Sequence, residues 1–266
     1  MNYLGKFGIE FNPFVKNSKE IKVEFTQSKE LLFRLGYLEK IKGIGILTGE
    51  PGVGKTTCVR HWTNTLNPSL YKFVYIKQAT LTVNEFYKAL SDELGLDTQF
   101  SKRKNFKNIQ QEINRLQIEK KITPVIILDE ANYLPYSVLN DLKLLLNFEM
   151  DSRDRFILLL IGQNILRNTL NLKCHEALRQ RIVINYELTP LSPEDSRIYI
   201  DTKLKEAGLA VNLLTDEAYN QIINYSNGTI RIINQIMDKA LLILSAQKAD
   251  IIDQDIMLSA IDEFSI

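Results

Sequence analysis

Gly49-Glu50-Pro51-Gly52-Val53-Gly54-Lys55-Thr56 has the spacing G-x-x-x-x-G-K-[ST]. Glycines there let the backbone turn its N–H groups toward phosphate oxygens. A helix starting at the end of the loop adds the positive pole of its dipole. Lys55 would reach the terminal phosphates of a nucleoside triphosphate. The Thr56 hydroxyl would bind magnesium, and Thr57 belongs to the same turn. The apolar run Ile44-Gly45-Ile46-Leu47 precedes the loop, and Thr57-Cys58-Val59-Arg60-His61-Trp62 follows it. The loop therefore falls between a buried strand and a helix, the context this spacing requires.

A second set of residues completes such a site. Pro124-Val125-Ile126-Ile127-Leu128 is a fully apolar strand that ends in Asp129-Glu130. Asp129 would hold magnesium, and Glu130 would orient or activate the attacking water. Two carboxylates are needed because one neutralises the metal while the other stays free for water. Phe156-Ile157-Leu158-Leu159-Leu160-Ile161-Gly162 reads as another buried strand, and it ends at Gln163, a polar residue suited to sensing hydrolysis. Arg179 and Arg181 precede a last strand, 182–188. One of them, Arg181 ahead of Arg179, is expected to act as an arginine finger for a neighbouring subunit. Arg231 heads a C-terminal helix. A cation there opposes the helix dipole, so a phosphate facing it gives it a purpose.

The elements that position these groups follow from periodicity. Residues 28–41 form an amphipathic helix with Ser28 as cap and Leu31, Leu32, Leu35, Leu38 and Ile41 on one face. Residues 71–76 are a second strand. A helix over 82–94 is capped by Thr82 and turns Phe86, Leu90 and Leu94 inward. Helices over 106–119 and 137–148 follow. After the linker 188–193 the pattern is all helical, with starts at Ser192, Thr215, 229 and Asp253. This gives an arm over 1–27, an α/β nucleotide domain over 28–190 and a helical lid over 191–266. The aromatic cluster around Phe7, Phe11 and Phe14 places the arm near the nucleotide site or a neighbouring subunit.

Composition narrows the class. Of 266 residues, 45% are hydrophobic and 24% charged, ordinary values for a globular protein. No apolar run approaches the ~20 residues of a membrane helix. Two cysteines and two histidines fit neither a disulfide framework nor a metal cluster and suit a reducing cytoplasm. Residues 1–190 carry 27 Lys and Arg against 20 Asp and Glu, whereas 191–266 carry 6 against 12. The basic part suggests a polyanion partner. Its densest run holds Lys102, Arg103, Lys104 and Lys107, and no acidic residue lies between Asp97 and Glu112. These four are the candidate contacts to duplex DNA. Rival readings on the same loop are a monomeric phosphotransferase and a nucleotide-dependent scaffold.

Five strands with interleaved helices and a helical lid resemble an AAA+ P-loop NTPase with a five-stranded parallel sheet. Phe7-Gly8 with Asn12-Pro13-Phe14, Leu47 to Glu50, Leu145 to Glu149, Ile161 to Gln163, Leu178 to Ile182, Leu188 to Leu191 and Ala207-Gly208 resemble the ExeA-like branch. The resemblance spans nearly the whole chain. It implies an ATPase using ATP and Mg2+. Gly49 to Thr57 would bind nucleotide, Thr56 and Asp129 the metal. Glu130, Gln163, Arg181 and Arg231 would be the water-activating residue, sensor one, the finger and sensor two. Ile230 stands where relatives often have proline. Secretion members of the branch join the ATPase to a membrane span and an envelope domain. Soluble members regulate transposition, in the manner of TniB, TnsC and MuB. A chain stopping after the lid without a membrane segment favours the second use. It implies a cytoplasmic ATPase that forms rings or filaments on duplex DNA and activates a transposase.

Overall fold

The computed structural model describes residue 5 and residues 8–77, 80–149, 153–209 and 212–265; Phe7 lies outside them. The chain forms two compact units. One comprises Gln27–Pro51 with Lys55–Leu188. The other comprises the described residues before Gln27, Gly52–Gly54, and the chain from Thr189 onward.

The first unit is built on five parallel strands: β1 (Gly43–Thr48), β2 (Tyr71–Ile76), β3 (Thr123–Leu128), β4 (Ile157–Gly162) and β5 (Ile182–Glu187). They lie in the order β2-β3-β4-β1-β5. Every residue of β1, β3 and β4 is buried. Parallel strands covered on both faces read as such continuous apolar runs, and this is why the sequence marks them so plainly. Ile44 and Ile46 join a core with Phe86, Leu90, Ile109, Ile113, Leu139 and Leu142 from the helices of one face. On the other face Gly45 leaves room for Leu38, whose Cδ2 would stand 2.8 Å from a Cβ placed there. Because all strands run the same way, the loops after β1, β3 and β4 emerge at one edge of the sheet. Those loops carry Gly49, Asp129 and Gln163.

The helices of this unit are α1 (Thr26–Ile41), α2 (Lys55–Thr65), α3 (Val83–Leu94), α4 (Lys102–Asn114), α5 (Tyr136–Leu145), α6 (Ile165–Leu170) and α7 (Glu176–Arg179). Thr82 caps α3 in a reciprocal box with Glu85, as its spacing predicts. Two expectations fail. Ser28 does not cap α1, which already begins at Thr26 and buries Ser28; Ile41 is 37% exposed. The helix expected over 106–119 starts four residues earlier, so Lys102, Arg103 and Lys104 occupy its first turn, and after Asn114 it continues as a π-helix over Arg115–Glu119.

In the second unit α8 (Pro193–Glu206), α9 (Asp216–Ser226), α10 (Ile230–Gln247) and α11 (Gln254–Phe264) surround a core of Ile200, Ile222, Ile236, Met237 and Leu244. Ser192, Thr215 and Asp253 cap α8, α9 and α11 with side-chain oxygens that accept backbone N–H bonds. Ile9, Phe14 and Phe25 of the arm lie in the same core. The Asn12 amide donates to Asp238 Oδ1 at 2.6 Å and accepts from the Phe14 N–H at 2.9 Å. The arm is thus structural material of the helical unit. No helix among the described residues is long and apolar enough to cross a membrane.

His175 is buried at 1% exposure, with its ring 4.8 Å from that of Tyr136. Neither ring nitrogen has a hydrogen-bond partner among the described residues. Burial, and then the charge of Lys143, hold its pKa below the ordinary value. The folded chain therefore binds this proton less readily than the unfolded chain, which takes it up near pH ~6.5. The stabilisation is complete above that pH and declines as pH falls below it toward the folded value. Urea titrations at pH 7.5 and 5.5 should show a smaller loss of stability for His175→Phe than for the parent chain.

Candidate nucleotide site

Asp129 follows the last residue of β3 and is buried. Its carboxylate accepts three hydrogen bonds. The Thr56 hydroxyl, at the start of α2, donates to Oδ2 at 3.0 Å. The Tyr75 hydroxyl, from β2, donates to the same oxygen at 2.6 Å. The Glu130 N–H donates to Oδ1 at 2.9 Å. Burial, and then the bond to Asp129, push the Tyr75 phenol far above its ordinary pKa, so it remains a donor at any physiological pH. Thr56 and Asp129, 73 residues apart, are thereby brought into one all-oxygen cluster. Hydroxyl and carboxylate oxygens are the donors a hard cation takes, with phosphate oxygens and waters completing the shell. The residues fit Mg2+.

Glu130 takes a left-handed backbone, φ 54 and ψ 36, and is exposed. That conformation costs a non-glycine residue ~1–3 kcal/mol and is a recurrent feature of functional turns. It sends Asp129 inward and leaves Glu130 outside, so the two adjacent carboxylates occupy different environments. In the loop after β1, Lys55 folds back, and its ammonium donates to the carbonyls of Gly49 at 2.8 Å and Glu50 at 2.9 Å. Gly52 and Gly54 have φ of 88 and 101, which L side chains rarely adopt. The Arg231 N–H, in the first turn of α10, donates to the Gly52 carbonyl at 3.1 Å.

Gln163 is placed by a residue that no sequence motif marks. Asn132 Oδ1 accepts from the Gln163 N–H at 3.0 Å. A Cβ at Gly162 would stand only 2.8 Å from that oxygen, so the close approach depends on the glycine. A further brace spans the next loop. Glu187, the last residue of β5, accepts from the Asn164 amide at 2.9 Å and pairs with Arg167. Tyr75, Asn132 and Glu187 all escape a reading of the sequence. The only mark of Asn132 is its place three residues after Asp129.

The two finger candidates differ in setting. Arg181 is half-buried and donates to the Lys143 carbonyl at 2.8 Å; Arg179 is exposed and donates to the Asn171 carbonyl at 3.0 Å. Among the candidate DNA contacts, Lys102 pairs with Asp141 at 2.5 Å, which ties α4 to α5. Arg103, Lys104 and Lys107 are exposed.

Residues 39–170 match the family described as an AAA domain. The chain is 33% identical over 264 residues to general secretion pathway protein A of Aeromonas hydrophila; the match covers 97% of this chain and 48% of that protein. The chain thus spans about half the length of that relative. The fold is similar to the origin recognition complex of Drosophila solved bound to DNA, with TM-score 0.72 and 16% identity over 96% of this chain and 64% of that one. It is also similar to Cdc6p of Pyrobaculum aerophilum, with TM-score 0.68 and 17% identity over 90% and 67%. The RuvB Holliday junction branch migration motor of Thermotoga maritima gives 0.61 and 20% over 90% and 69%.

On the reading of Gln163 as a sensor of hydrolysis, Asn132→Ala should lower kcat for ATP hydrolysis about tenfold, the effect of losing one placed hydrogen bond of ~1.4 kcal/mol. The KM for ATP should stay within about twofold, because Asn132 braces Gln163 rather than the phosphate loop. Steady-state kinetics would check this; a change in KM alone would contradict it.

Proposed function

We propose that the chain is an AAA+ ATPase, a reading that the match of residues 39–170 to an AAA domain supports, and that it is an ATP-gated regulator of DNA transposition. In this reading it assembles on duplex DNA in the cytoplasm as a ring or helical filament and recruits or activates a transposase. The observation that carries the DNA part is the first turn of α4. Lys102, Arg103 and Lys104 crowd the positive end of the helix dipole with no acidic residue among them. Each cation there costs ~0.3–1 kcal/mol. A polyanion laid across the exposed Arg103, Lys104 and Lys107 would reverse that cost. Such contacts are made to phosphates, so binding would be salt-sensitive and weakly sequence-dependent. The transposase part rests on the resemblance of the spaced motifs to the soluble regulators. The Drosophila origin recognition complex, similar in fold and solved bound to DNA, is consistent with the same use of this architecture.

The geometry of the site and the resemblance together support a set of roles. The N–H groups from Gly49 to Thr57 and the Lys55 ammonium would hold the phosphates once Lys55 leaves the carbonyls of Gly49 and Glu50. Thr56 and Asp129 would hold Mg2+, which when bound neutralises charge on the phosphate oxygens. Glu130 would orient water, and Gln163 would report on the γ-phosphate. Arg181 would complete a neighbouring subunit's site, and Arg231 would answer the nucleotide as sensor two. ATP then acts as a switch that stabilises the assembly, and hydrolysis releases it.

A second reading has an observation of its own. The 33% match to general secretion pathway protein A runs over nearly the whole chain and favours a secretion ATPase working with a separate membrane partner. The neighbouring genes separate the two: a transposase gene on one reading, secretion components on the other.

Electron microscopy of the purified protein with duplex DNA and a slowly hydrolysed ATP analogue should show DNA-wrapped oligomers only when nucleotide is present. Bare monomers in every condition would sink the proposal. Arg181→Ala should cut turnover about a thousandfold with ATP binding retained. Arg179→Ala should have the smaller effect.

A further inference from the structure

Phe100 is 97% exposed, more than any other large apolar side chain among the described residues. Its presentation is built, not incidental. Asn105, fully buried in the first turns of α4, clasps the residue before it: its Oδ1 accepts from the Gln99 N–H at 2.8 Å, and its Nδ2 donates to the Gln99 carbonyl at 2.9 Å. The backbone leading to the ring is thus fixed from both sides, and the ring projects from a held turn. One cation lies against it, and others follow in the chain. The Lys88 ammonium lies 5.8 Å from the ring centroid, and the exposed Arg103, Lys104 and Lys107 follow on α4. The nearest carboxylates along the chain are Asp97, three residues before the ring, and Glu112.

We infer that Phe100 is a base-stacking residue: its ring lodges against a base opened from the duplex stack while Lys88, Arg103, Lys104 and Lys107 hold the flanking phosphates. This rests on the DNA-binding reading above and adds to it a contact that is not made to phosphate. A π-face accepts any base without regard to sequence, and inserted apolar side chains unstack single base steps. One ring with a cation against it, just before a helix head of exposed cations, suits one base next to its phosphates. A lipid surface would instead call for several apolar side chains side by side, whereas the chain neighbours of Phe100, Gln99 and Ser101, are polar.

The test uses the intact protein with nucleotide. The native tryptophan, Trp62, is buried at 1% exposure and gives a constant background, so Phe100→Trp reports the position alone. Titration with duplex DNA should quench the new emission. Vesicles of phosphatidylserine should leave it unchanged. Phe100→Ala should weaken duplex binding about tenfold, in line with the loss of one base–aromatic stack, with the salt dependence of binding unaltered. Lys104→Ala and Lys107→Ala should each reduce the salt slope by ~0.9. Phe100 touches no core, and thermal melts should confirm that the variants fold. Salt-sensitive DNA binding that survives Phe100→Ala at full strength, with Phe100→Trp unquenched, overturns this inference and leaves the DNA reading standing. Failure of the parent chain to bind duplex DNA at all removes both. A blue shift with vesicles and no response to DNA assigns the ring to a membrane and overturns the inference.

Discussion

One buried carboxylate fixes the candidate nucleotide site. Removing a negative charge from water costs several kcal/mol unless hydrogen bonds or a cation replace the lost hydration. Asp129 meets this with three donors that come from three different pieces of the fold: the start of α2, the edge strand β2 and the turn at Glu130. Satisfying the charge therefore sets the relative position of all three. The same arrangement leaves the carboxylate and the Thr56 hydroxyl poised side by side as ligands for a divalent cation. The demand of a buried anion and the demand of a metal site are met by one geometry.

Around that centre the sheet sorts residues into two tiers. The middle strands β1, β3 and β4 end beside one another, and the groups that would touch nucleotide follow directly from those ends. Behind them stands a tier of bracing hydrogen bonds: Tyr75 on Asp129, Asn132 on the Gln163 N–H, Glu187 on Asn164 and Arg167. Catalytic geometry must be held within a fraction of an ångström, and hydrogen bonds from a rigid sheet supply that precision. The strained backbone of Glu130 belongs to the same design, since it places two neighbouring carboxylates in opposite environments.

The first tier was legible in the sequence, and the second was not, for a physical reason. The phosphate loop and the Asp129-Glu130 pair announce themselves through local spacing and through strands so deeply buried that they are wholly apolar. Thr82, Ser192, Thr215 and Asp253 were legible as caps because a cap is a local event. Tyr75 and Asp129 are 54 residues apart and meet only because β2 pairs with β3 in a definite register. No local pattern carries that pairing. The start of α4 is hidden from a sequence reading because cations at a helix head contradict the dipole rule. The Lys102–Asp141 pair, which is tertiary, and the Asn105 clasp on Gln99, six residues before it, outweigh it.

The strand order also bears on how such a site can change over time. Side chains of the middle strands are packed on both faces, and truncating one costs ~2–5 kcal/mol, enough to lose the fold. The outer strands β2 and β5 carry half-exposed positions, where a substitution removes little packing and costs ~1–3 kcal/mol through any hydrogen bond it breaks. Tyr75 and Glu187 stand on those outer strands. Mutation therefore reaches the braces more readily than the strands that carry the centre. A lineage built on this sheet can retune how its candidate site is held by editing the margins, with the groups at the centre left as they are.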